Sequence, residues 1–151
     1  MYEDLLDLFE IIGALESQVV LAVFHQITDK EINQMKRYNR TMEQALKQGR
    51  NRNFHETNIL FHRVFLDLSA NRELTAYVGS LKLRLFGFAI KSYRDRFKGA
   101  IIAEHDVFIA CLKEGKRQSA ANYLKDVHWK FNYPDNFIRP DAVENSNTEN
   151  N

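Results

Sequence analysis

An amide oxygen and an imidazole stand four residues apart at Asn58 and His62, with Ile59-Leu60-Phe61 between them. Positions i and i+4 share one face of a helix, so the two groups project together. Two more imidazoles follow. His105 comes four residues after Ile101 and three before Phe108, and His128 comes four after Leu124 and seven after Ala121. Each therefore falls on the inward stripe of its own helix. Three histidines and one oxygen delivered by three helices make a donor set for zinc, nickel or a related divalent ion, with positions left for water or an anion. Buried without a metal, the same histidines need hydrogen-bond partners for six ring nitrogens. Carbonyls or the chain's six tyrosines supply such partners in many cores, and spacing alone leaves both arrangements open.

The elements that must position these groups are helices. With only two prolines and six glycines in 151 residues, and no strand-like alternation, the chain reads as all-α: a single antiparallel bundle of about six helices with an internal ligand or metal cavity. Leu5, Leu8, Ile12, Leu15, Val19 and Val23 mark a first helix ending near His25, whose charge suits a helix C-terminus. Thr28-Asp29-Lys30-Glu31 is a capping box opening a second helix, whose thin apolar face places it on the outside. A third, about 54–68, is apolar on nearly every side and is expected at the centre. Ser69-Ala70-Asn71 breaks and recaps the chain before a fourth helix to about Tyr93. Lys98-Gly99 reads as a loop, 101–112 as a fifth helix stopped by Gly115, and 117–131 as a sixth. The bundle is assigned to residues 1–133. The Asn-rich, acidic stretch 134–151 has little to bury and is expected to be largely disordered.

A near-neutral balance of 21 basic and 20 acidic residues gives no basic stripe for nucleic acid. No apolar run approaches the ~20 residues of a membrane span, so no membrane partner is expected. The single cysteine, Cys111, excludes an internal disulfide and points to a cytoplasmic, reducing compartment.

Taken in order, Asn58-x-x-x-His62, Leu68-Ser69-Ala70-Asn71-Arg72-Glu73-Leu74, Glu104-His105 and Ala120…His128 resemble the FCD domain. That domain is the C-terminal effector-binding module of the FadR branch of GntR-type bacterial transcription regulators, and six helices resemble its smaller, VanR-like subgroup. Leu8-Phe9-Glu10 through Leu15-Glu16 resemble its first helix. The resemblance implies a bundle enclosing a divalent transition metal (zinc first, nickel or manganese as alternatives) whose open position takes a small carboxylate effector. Matched residue by residue, the ligands are Asn58, His62, His105 and His128. Three departures stand out. Asn58 replaces an aspartate and removes a negative charge. His128 lies one residue further from His105 than the pattern has it, a ~100° rotation on a helix. Ile12 occupies the place of an arginine, so the effector carboxylate needs another partner, for which Lys82 and Arg84 on the fourth helix are the candidates. His55, one turn before Asn58, is placed at the pocket rim or on the surface as a further effector contact.

The resemblance thus implies an effector-sensing homodimer whose dimer surface lies on the first and fourth helices, including Phe86 and Phe97. DNA would be contacted only through a winged helix-turn-helix domain that is not in this chain. Two other functions compete: a metal-free bundle binding an acyl or aromatic ligand, and a metal-dependent hydrolase. The hydrolase needs a general base beside the metal; Glu104 and Glu56 are expected to point off the site face, so the chain is not expected to be an enzyme.

Overall fold

The computed structural model describes residues 2–131. Six helices follow one another: α1 (Tyr2–Val23), α2 (Asp29–Lys47), α3 (Asn51–Leu66), α4 (Arg72–Ser92), α5 (Asp95–Lys113) and α6 (Arg117–Tyr123). A short 3₁₀ turn closes α1, and α6 runs on into a π turn, Leu124–His128. No strand occurs among the described residues, and the all-α bundle is as the sequence implies. The stretch 134–151 lies outside the described residues.

The helix boundaries follow local chemistry. Thr28 and Glu31 form the capping box: the Thr28 amide donates to the Glu31 carboxylate at 2.8 Å. Asn71 caps α4 by accepting from the Leu74 amide at 3.0 Å. Gly49 and Gly115 end α2 and α5 in the left-handed region, at φ 67° and 71°, where a side chain would be strained. The expected loop at Lys98-Gly99 does not form. α5 begins at Asp95, and the break falls where Tyr93 and Arg94 turn extended. One glycine costs a helix only ~1 kcal/mol, which burial of Phe97, Ile101 and Phe108 outweighs.

Two expectations about packing change. α3 is not buried all round, because Leu60 is exposed and Arg52–Glu56 and Arg63–Asp67 pair along a solvent face. α2 is more than an outer cover. It packs on α3 and α5 and buries Ile32, Met35, Asn39 and Met42, which brings a polar side chain into the interior. α1 packs against α6, the π turn, α4 and α3. At Gly13 a Cβ would lie 2.7 Å from Trp129 Cβ, so only glycine lets the π turn approach α1 this closely.

Candidate metal and effector site

The three histidines meet. One ring nitrogen from each of His62, His105 and His128 lies within 4.8 Å of the others, and all three residues are buried. Nε2 of His62 and Nε2 of His128 are 3.2 Å apart. Two imidazole nitrogens bound to one zinc at ~2.0–2.1 Å and near-tetrahedral angles stand ~3.3 Å apart.

What the outer nitrogens touch decides what the inner ones offer. His62 Nδ1 lies 2.8 Å from Glu16 Oε2. His105 Nδ1 lies 3.0 Å from Asn39 Oδ1, and His128 Nδ1 lies 3.4 Å from Glu104 Oε1. Asn39 is held the right way round, since its amide nitrogen donates to Asp106 Oδ1 at 2.7 Å and to the Ile102 carbonyl at 3.1 Å. Its oxygen therefore faces His105, and only a protonated Nδ1 can meet an oxygen there. His62 and His105 thus carry their proton on Nδ1 and turn the Nε2 lone pair inward, while His128 Nδ1 makes no hydrogen bond among the described residues at 3.4 Å and its Nε2 faces His62. Outer oxygens that fix the tautomer in this way are the usual support of histidines that bind metals. Phe61 stacks flat on His105 (centroids 3.7 Å apart, planes 4° from parallel) and locks that ring. The donor set and its orientation fit a divalent transition metal.

Burial holds His62 and His105 neutral. His62 is pushed down to about 3 by desolvation, against the opposing pull of Glu16. His105 is lowered well below the imidazole range, first by desolvation and then by its neighbours His128 and His62. For Glu16, desolvation works upward, but His62 and Lys82 more than offset it and hold the carboxylate far below its ordinary range. Its Oε2 also accepts from Trp129 Nε1 at 2.8 Å, and its Oε1 pairs with Lys82 Nζ.

The π turn answers the spacing problem at His128. A regular helix would rotate this histidine by the ~100° that one added residue brings. The turn instead closes through a bond from the Trp129 amide to the Leu124 carbonyl, five residues back, at 2.8 Å. One π turn absorbs one extra residue, and His128 faces His62.

The other candidates divide. Asn58 lines a cavity of about 50 Å³ with His62, Lys82 and His128, and its buried Oδ1 has no hydrogen-bond partner among the described residues. Lys82 lies in the same cavity, buried on the inward stripe Val78-Lys82-Leu85. Arg84 does not join it. Two residues on means ~200° round the helix, and Arg84 is exposed on another cavity with Leu5, Leu8 and Phe88. His55 is neither rim nor surface: it is 3% exposed and lines the cavity wall. Phe86 and Phe97, expected at a dimer surface, line that cavity too, and Phe97 is buried.

Sequence reasoning missed Glu16, Asn39 and Trp129, and it turned Glu104 away from the site. Glu16 follows Ile12 by four and precedes Val19 by three, and Asn39 follows Met35 by four. Polar groups on apolar stripes were therefore the available signal. Glu104 is buried because α5 packs on α2 on one side and on α6 and the π turn on the other.

Among the described residues no helix is long and apolar enough to cross a membrane. No individual curated protein and no solved structure matches the chain. A model of the FCD domain does match, over residues 7–127, a span that holds Glu16, Asn58, His62 and His105 and stops one residue short of His128. The chain belongs to the FCD family, the C-terminal effector-binding domain of GntR-type transcription regulators.

Proposed function

We propose that this effector-binding domain senses a small carboxylate at a divalent transition metal held by Nε2 of His62, His105 and His128, with Asn58 Oδ1 as the oxygen donor. Zinc suits three imidazoles best, and nickel or manganese would also be accepted. The observation that carries this reading is the convergence of the three buried rings, with Nδ1 of His62 and of His105 hydrogen-bonded to an outer oxygen and Nε2 of His62 and His128 facing each other. A bound metal supplies a Lewis-acidic position for one carboxylate oxygen. Lys82 takes the part left open by Ile12. Its ammonium lines the cavity beside Glu16, where an incoming carboxylate adds a second negative partner for it.

The output is linkage. An acid that binds one helix arrangement better than another shifts the population toward it by its difference in affinity. In a homodimer carrying winged helix-turn-helix domains, that shift alters how the DNA-binding domains are spaced. The test is elemental analysis of purified protein, followed by a thermal-shift screen of small carboxylates on the metal-loaded form. Near-stoichiometric metal, lost in His62→Ala and His105→Ala, supports the reading. A protein that neither retains nor takes up zinc, nickel or manganese contradicts it.

A further inference from the structure

The cavity continues past the histidines along α3. His55 stands seven residues before His62, which is ~10.5 Å along the helix axis. Around it the wall is formed by Phe86, Ala89, Tyr93 and Phe97. This end is apolar except for two atoms, His55 Nε2 and Tyr93 Oη, both buried without a hydrogen-bond partner among the described residues. Their residues are 3% and 5% exposed. A buried polar atom left unmatched costs ~1–3 kcal/mol, and natural interiors rarely keep one without a use. Here two of them share one end of one cavity, and their rings lie 5.6 Å apart.

Both groups are uncharged. Burial, with the charge of Lys98, pushes His55 down to about 4, and burial raises Tyr93 far above the phenol range. We infer that this pole of the cavity reads an uncharged hydrogen-bonding group, a hydroxyl or carbonyl, at the far end of an acid whose carboxylate lies at the histidines. The inference rests on the carboxylate reading given above and adds the other half of the ligand.

Reach and width narrow the class. Of the ~10.5 Å between the poles, a metal–oxygen bond takes ~2 Å and the distal hydrogen bond ~2.8 Å. The remainder, between ~5 and 6 Å, matches an extended chain of three or four carbons with an oxygen at each end. A cavity of about 50 Å³, a third of the ~150 Å³ that admits a benzene ring, leaves no room for a ring or a branch, and its walls must part to take in even a slim straight chain. A second carboxylate is disfavoured. It would leave water for the faces of Phe86 and Phe97, and Lys98, the cation whose charge reaches His55, is engaged 3.4 Å from Asp95. The ligand is a short, unbranched hydroxy or oxo monocarboxylate.

The test is calorimetric titration of the zinc-loaded full chain with propanoate against 3-hydroxypropanoate, butanoate against 4-hydroxybutanoate, and succinate. In the wild type, one hydroxy acid binds about tenfold or more tighter than its parent acid, because only the hydroxy acid satisfies the two orphaned atoms. Tyr93→Phe and His55→Phe close most of that gap while leaving zinc content and parent-acid affinity as they were. His55→Gln, which keeps a hydrogen-bonding side chain, retains part of the gap and guards against a folding defect in the phenylalanine variant. Succinate gains nothing over butanoate. Parent and hydroxy acids binding alike in the wild type, or a gap that survives both phenylalanine variants, overturns this inference alone. Failure of every acid to bind zinc-loaded protein overturns the carboxylate reading and this inference with it.

Discussion

Nδ1 of His62 sits 2.8 Å from Oε2 of Glu16, and both side chains are shut off from solvent. Glu16 is therefore the group that sets the His62 tautomer, and it also neutralises Lys82. The two duties separate by mutation. Glu16→Gln keeps an oxygen for His62 but strands the Lys82 charge, so stability measured by urea unfolding falls by about 3–5 kcal/mol. Adding Lys82→Met recovers most of that loss. Metal affinity, read by chelator competition, stays roughly tenfold or more below wild type in both variants. If the double variant binds metal as tightly as wild type, Glu16 has no part in supporting His62.

Zinc at about 100 times its dissociation constant adds ~2.7 kcal/mol to the folded state, a rise in melting temperature of about 5–10 °C for a domain of this size. His105→Ala, which opens a gap beside Phe61 and removes one donor, should abolish the zinc-dependent rise as well as lowering the metal-free melting point. A rise of equal size in the variant means that the zinc is bound elsewhere.

Gly13 and Gly79 predict opposite outcomes for the same substitution. Gly13→Ala drives a methyl to 2.7 Å from Trp129 Cβ. The overpacking, about 1–3 kcal/mol, exceeds the ~1 kcal/mol that alanine gains in helix propensity. Net destabilisation and a shift in fluorescence from Trp129, the chain's single tryptophan, are expected. Gly79→Ala, in α4 with nothing within 4 Å, should stabilise by about 0.5–1 kcal/mol.

His55 gives the domain a pH dependence of known sign. Its folded pKa, about 4 through burial and the charge of Lys98, lies below the ordinary imidazole value, so the unfolded chain binds the extra proton first. The stability contributed by neutral His55 is complete above about pH 6.5. It is lost as pH falls toward 4, by up to roughly 3 kcal/mol. Tyr93, Phe54 and Phe86 pack around the ring, and Tyr93 stays protonated throughout this range. His55→Phe should unfold in urea with a shallower loss between pH 7 and pH 5 than wild type. Parallel pH profiles for the two proteins would exclude this assignment.

The inward stripes made much of this legible beforehand. Asn58 and His62 share a face by helical arithmetic, and His105 and His128 follow from their apolar neighbours. The supporting oxygens were hidden for a different reason. On an amphipathic helix a single Glu16 or Asn39 among apolar residues looks like an exception, and its partner lies 46 or 66 residues away, beyond any local pattern. His128 was visible as a residue out of step, but only the long-range bond closing the π turn explains how it returns to register. Lys82 and Arg84 were equivalent as cations two positions apart; the fold separates them by half a turn and buries one.

The Nε2 atoms of His62 and His128 belong to residues 66 positions apart that touch at 3.2 Å. An ion shared by them would thus be a clasp across nearly half of the chain, restricting the unfolded ensemble as a long covalent crosslink does. Since His128 and Trp129 occupy the last turn described, release of such an ion and fraying of that end would be one event, and the bundle's cohesion would then answer to metal supply.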